Sequence, residues 1–227
     1  MSSTVTRRTA EPPRRTLAEV VTTQLRDRII DGTFPPGTQM NEVELAARFA
    51  TSRGPIREGM QRLVQEGLLV STPRKGISVP VLTSADLDDL YFARAAIERA
   101  ALLRLADRGP SAALIADLEQ ALAAMALAIE QEDWYRVSEA DLRFHQRVVD
   151  AAGSPRLTQM YAALAGQTKL GLNLLVDTYQ GRVDLLEEHE QLLKLLAKRD
   201  RDGVTRALDT HFNDAMRTLG DSYPGTS

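Results

Sequence analysis

Beyond Thr83, and as far as about Leu219, the chain carries one pattern only: apolar residues returning every three or four positions. That spacing gathers them on one face of a helix. So long a stretch of such helices must pair its apolar faces, which predicts a mainly α protein ending in an antiparallel bundle of about six helices. Breaks are expected at Gly109-Pro110, 131–133, Gly153-Ser154-Pro155, Gly181 and 200–203. Few aromatics and many alanines and leucines agree with helix.

The first eighty residues are punctuated differently. Positions 1–15, rich in Ser, Thr, Arg and Pro, hold almost nothing to bury and are expected to be a disordered tail. A helix is predicted over 16–31, its repeat marked by Leu17, Val20 or Val21, Gln24 or Leu25, and Arg28 or Ile29. Gly32 and Pro35-Pro36-Gly37 end it. Asn41, with Glu44 three residues on, is placed to cap a short helix through Phe49. Ser52 is placed to cap a third helix that buries Ile56, Met60 and Leu63, with Pro55 tolerated in its first turn. Residues 68–72 and 77–81 read as short strands around Pro73-Arg74-Lys75-Gly76. Three short helices and a hairpin make a winged helix-turn-helix. The expected organisation is a tail (1–15), a winged helix-turn-helix (16–80), an all-helical domain (81–220) opened by a Thr83/Asp86 capping box, and a second tail (221–227).

Bulk properties narrow the function classes. No uninterrupted run of about 18 apolar residues occurs, so no membrane span is expected. The first residues lack the apolar core of a secretory signal. The absence of cysteine excludes disulfides and thiolate metal sites and fits a cytoplasmic protein. Charge is uneven: 12 Lys+Arg against 8 Asp+Glu over residues 1–80, then 16 against 23, so the front is +4 and the rear −7 within a net −3. A basic head on an acidic body suits a protein that presents one end to a polyanion.

On the third helix, the face opposite Ile56, Met60 and Leu63 carries Arg53, Gly54 and Arg57. The two arginines are four apart near the helix N-terminus, the end that helix-turn-helix proteins set against base edges. Arginine is the preferred bidentate reader of guanine. Ser52 and the first-turn N–H groups are placed for a phosphate, and Arg74, Lys75 and Gly76 for a wing on the backbone or minor groove. Alone, each cation reads equally as solvated surface charge. Together with the helix order they point to DNA.

The run Asp31-Gly32-Thr33-Phe34-Pro35-Pro36-Gly37, then Glu44-Leu45-Ala46, Ser52-Arg53-Gly54-Pro55-Ile56-Arg57-Glu58 and Glu66-Gly67-Leu68, resembles the DNA-binding domain of the GntR family from about 16 to 80. Met40 stands where Leu is common, Gly59 where Ala is usual, and Ala50-Thr51 replaces Gly-Val.

The chain has three histidines. Asp141 and His145 share one helical face with Val137 and Val148; His189 lines up with Leu186, Leu193 and Leu196; His211 lines up with Val204, Leu208 and Ala215. Buried polar groups need partners, and three imidazoles with a carboxylate can share a divalent metal. A metal-free His–Asp cluster is the competing reading. Arg94 interrupts the apolar stripe of Leu87, Leu90, Ile97 and Ala101, either to bind an effector carboxylate or to pair with Glu98 one turn on. Gln167, Lys169 and Asn173 are further candidates to line an effector pocket.

Residues 84–219 resemble the FCD ligand-binding domain of the FadR-like branch of the GntR family, nearest the VanR-type subgroup. The anchors are Asp141-x-x-x-His145, Glu188-His189, and Ala207 with His211. The resemblance implies a Zn or Ni site with Asp141, His145, His189 and His211 as ligands, its shell often completed by an organic acid. It further implies a homodimer on a near-palindromic operator, released by a small carboxylate. A metal-dependent hydrolase and a purely structural metal are the alternatives. Nothing resembling an HExxH general base is present, which favours the non-enzyme reading.

Overall fold

The computed structural model describes residues 15–174 and 184–220, without the side chains of 173, 174 and 218–220. The expected tails (bar residue 15) and the break at Gly181 lie outside the described residues.

Helix α1 (Leu17–Ile30) is opened by a capping box between Thr16 and Glu19. Its buried face is Ala18, Val21, Leu25 and Ile29, while Leu17 and Val20 are exposed. Of the alternatives in the sequence, the later phase is the one that packs. Helix α2 (Glu42–Arg48) is capped as expected: Asn41 Oδ1 accepts from the N–H of Val43 and Glu44. Helix α3 (Arg53–Gln65) buries Ile56, Met60 and Leu63 against α1. Gly59 has a packing reason for its lost helix propensity, since a Cβ there would stand 3.1 Å from Thr22 Oγ1 and 3.3 Å from Val21 Cγ1. Ala50, in the turn between α2 and α3, takes φ 49°, a left-handed conformation that suits the family's glycine better.

The wing is shorter than predicted. Strands β1 (Val70–Thr72) and β2 (Gly76–Ser78) pair antiparallel, Ser71 opposite Ile77. The N–H groups of Leu68 and Leu69 are both drawn to Leu63 O at the end of α3, and Val79 N donates to Thr38 O. Those bonds take the flanking residues out of the hairpin and add the 38–40 segment beside β2.

Six further described helices follow: α4 (Ser84–Arg108), α5 (Ala112–Glu130), α6 (Trp134–Ala151), α7 (Pro155–Leu174), α8 (Leu185–Ala197) and α9 (Arg201–Gly220). The Thr83/Asp86 capping box forms, and Gly109 closes α4 at φ 83°. The last break falls at 198–200, earlier than expected, because Asp200 Oδ1 accepts the Gly203 N–H and starts α9. Helix α5 is, by length and composition alone, apolar enough to cross a membrane, which corrects the sequence expectation. Its face of Leu114, Leu118, Ala121, Met125 and Ala128 is buried, and its main partner is α6. Asp117 and Glu119 interrupt the opposite face.

Helix α7 packs on both α4 and α1, so it touches bundle and head. At this seam a Cβ on Gly166 would press on Leu68, and a Cβ on Gly67 (φ +70°) would overlap the Gln167 amide. An open cavity of about 440 Å³ lies along it, lined by residues of the wing base, α4 and α7.

Candidate nucleic-acid interface and metal centre

The residues expected to face DNA are all exposed: Ser52, Arg53, Gly54 and Arg57 at the start of α3, and Arg74, Lys75 and Gly76 at the hairpin tip. Ser52 holds the N-cap position but its side chain makes no capping bond, a correction that leaves the hydroxyl uncommitted. The two arginines close on a residue the sequence reading missed. Arg57 Nε and Nη2 donate to the two carboxylate oxygens of Glu42, each at 2.8 Å, and Arg53 Nη2 donates at 3.0 Å. Hydrogen bonds from Arg57, then Arg53, hold the Glu42 carboxyl down at a pKa of about 2. Glu42 opens α2, far along the chain from either arginine, so only the fold brings the three together.

In the bundle, α6 supplies Asp141 and His145, α8 supplies His189 and α9 supplies His211; all four are buried, and their ligand atoms lie within 4.8 Å of one another. Each imidazole is held from behind. His189 Nδ1 donates to Leu185 O at 2.7 Å; a carbonyl only accepts, so the proton sits on Nδ1. His145 Nδ1 lies 2.5 Å from Glu98 Oε2, and His211 Nδ1 lies 2.7 Å from Glu188 Oε2. Nε2 is therefore the unclaimed nitrogen of all three rings. His145 and His189 bring theirs within 3.1 Å of each other, and His189 Nε2 is 3.1 Å from Asp141 Oδ1.

Asp141 Oδ1 is buried without a hydrogen bond among the described residues. Lone pairs facing one another and an orphaned carboxylate oxygen are the donor set a divalent cation satisfies, with ring N–H groups tied to carboxylates or carbonyl in the manner of metal-site histidines. The residues fit a metal. Burial opposes charge on His145, but Glu98 and Asp141 outweigh it and lift its pKa to about 9. Burial, with His189 and His145 beside it, pushes His211 well below its ordinary value.

Comparison with known families settles what kind of protein this is. Residues 17–79 match the gntR family of bacterial regulatory proteins, and residues 89–214, more than half the chain, match the FCD domain. The chain belongs to the GntR family of transcription regulators. The regulator is 30% identical to the HTH-type transcriptional regulator YdhC of Bacillus subtilis, over 84% of this chain and 85% of that protein. It is 29% identical to the gluconate operon transcriptional repressor of Bacillus licheniformis, over 89% and 85%. A solved GntR regulator from Rhodococcus sp. RHA1 shares the fold at a TM-score of 0.78 and 26% identity, covering 91% of this chain and 98% of that one. These are transcription regulators and not enzymes, which decides against the hydrolase alternative.

The regulator's expected effector residues do not stay together. Arg94 lies beside the histidine cluster, fully buried, its Nε donating to Glu98 Oε1 at 3.1 Å. Both sequence readings of Arg94 thus stay in play, because the Glu98 bond uses Nε and leaves Nη2 without a partner. Gln167 instead sits at the seam with Gly67. Lys169 is tied to Glu139 at 2.7 Å with its ammonium over Tyr135. The Asn173 side chain lies outside the described residues.

Glu98 and Glu188, which hold two of the rings, were visible in the sequence only as neighbours of Arg94 and His189. Tyr161 was missed. Its position on the buried stripe with Leu157, Leu164 and Thr168 was the available signal, since a hydroxyl there needs a reason.

Proposed function

We propose that the regulator is a homodimeric, operator-binding repressor whose winged head (16–80) is governed by a metal-containing, organic-acid-responsive helical domain (81–220). A small carboxylate is the signal, and its arrival releases DNA. The observation that carries this reading is the convergence of Asp141 Oδ1 with three imidazoles whose Nδ1 atoms are already held. Asp141, His145, His189 and His211 would hold the ion; nitrogen and oxygen donors of this kind suit Zn or Ni. When bound, it supplies a Lewis-acid position for an oxygen of the acid. Arg94, aimed from α4 beside the cluster, holds the acid's carboxylate.

On the DNA side, Arg53 and Arg57 read base edges in the major groove, Ser52, Gly54 and the first turn of α3 meet a phosphate, and Arg74, Lys75 and Gly76 carry the wing. Two heads on one two-fold axis match a near-palindromic operator. The regulator works where its DNA is, in the cytoplasm. Repression is supported by its likeness to a gluconate operon repressor. Regulation follows only if the acid binds one dimer geometry better than the other. The bundle's polar cluster is closed to solvent, so entry of a ligand and movement of the helices are one event.

Metal analysis of purified protein tests the reading, with operator gel shifts in the presence of small carboxylates. A divalent ion in wild type, its loss in His189→Ala, and release of operator by an acid are expected. Full occupancy in His189→Ala removes that residue from the site, and an operator complex indifferent to every acid removes the sensing role.

A further inference from the structure

Two donors in the bundle core have nothing to donate to. Tyr161 is wholly buried on α7, and its hydroxyl makes no hydrogen bond among the described residues; the same holds for Arg94 Nη2. Leaving a buried polar group unpaired is costly, so two such groups in one place call for a common acceptor. They are in one place: the Arg94 guanidinium stands 5.9 Å from the Tyr161 ring centre. The rings of Tyr91 and Phe212, 5.2 and 5.3 Å from the guanidinium, complete an aromatic box around it.

The box fixes what can enter. Arginine only donates, and burial pushes the Tyr161 phenol well above its ordinary pKa, so the hydroxyl keeps its proton. Two protonated donors among apolar rings match an anion with two acceptor oxygens on one carbon. Glu98 cannot fill that role, because its oxygens are committed to Arg94 Nε and to His145.

We propose that Arg94 Nη2 and Tyr161 Oη form a two-point clamp on one carboxylate, with Tyr161 the residue that sets specificity for the acid. This rests on the sensing role proposed above and adds a residue to it. A site with two buried donors rejects an isostere lacking the matching oxygen far more strongly than an apolar pocket rejects a wrong shape. An acid should therefore bind where its amide does not.

Tyr161→Phe keeps the ring and removes only the hydroxyl, and two readings follow. Without added ligand, the variant should melt at or above the wild-type temperature, because an unpaired buried hydroxyl has been removed; a fall of several degrees would mean that Oη has a structural partner and would overturn the clamp. The second reading is binding of acetate, lactate, succinate and citrate, by calorimetry on wild type and variant at equal metal content. The best binder should lose about tenfold to a hundredfold in affinity in the variant. Equal affinity for both proteins overturns the clamp and leaves the sensing role standing. Failure of all four acids to bind wild type overturns both.

Discussion

Two arginine–glutamate clusters stand at opposite ends of this regulator, and their surroundings make them different devices. In the head, Arg53 and Arg57 share Glu42 at the surface, the arginine side chains 59% exposed. In the bundle, Arg94 and Glu98 pair in the core, with 2% and 1% exposure. Water weakens the first pair until it is worth about 0–1 kcal/mol, so an incoming phosphate or guanine can take Glu42's place cheaply. The second has paid heavily for desolvation, and neither partner can leave without stranding a charge. The head pair holds the reading side chains ready and lets go; the core pair keeps His145 turned toward its neighbours.

The largest effect expected from this contrast is at Glu98. Glu98→Ala strips the acceptor from both Arg94 and His145 and should cost about 3–5 kcal/mol of stability, read by urea or thermal unfolding. A midpoint unchanged from wild type would put the core pair on the same footing as the surface one. Next is Arg57→Ala, which should weaken specific operator binding by about 1–3 kcal/mol while far-ultraviolet circular dichroism stays the same. An unaltered gel-shift titration would make that guanidinium mere surface charge.

The smallest effect is the titration of Glu42. Its folded pKa of about 2 lies below the ordinary 4.5, so the pair's contribution is complete above about 4.5 and is lost as pH falls through about 2. Carbon NMR of the Glu42 carboxyl should show that low midpoint, and Arg57→Ala should bring it back up. A wild-type midpoint near 4.5 would mean the fork does not persist in solution.

Local rules made much of this legible in advance. The Asn41 cap, the Thr83/Asp86 box, the buried edge of α3 and the placement of all three histidines on core stripes each depend on residues within a turn or two of one another. What stayed hidden depends on distance. Glu42 meets its arginines across a helix boundary, and Gln167 meets Gly67 across a hundred positions of chain. The phase of α1 was ambiguous because Leu17 and Val20 are as apolar as Ala18 and Val21; only docking on α3 separates them. Gly59 looked like a weak helix residue until Thr22 was seen beside it.

Helix α7 makes this geometry consequential. Tyr161 looks into the core from one stretch of it, while Gly166 and Gln167 bear on the base of the wing little more than a turn further along, about 9 Å at 1.5 Å per residue. A stiff rod that short cannot soak up a displacement at one end by bending. If the core pulls or releases Tyr161, the motion arrives at Gly67, where the missing methyl leaves the Gln167 amide its seat. The regulator's lever arm is one helix, and its fulcrum is a glycine.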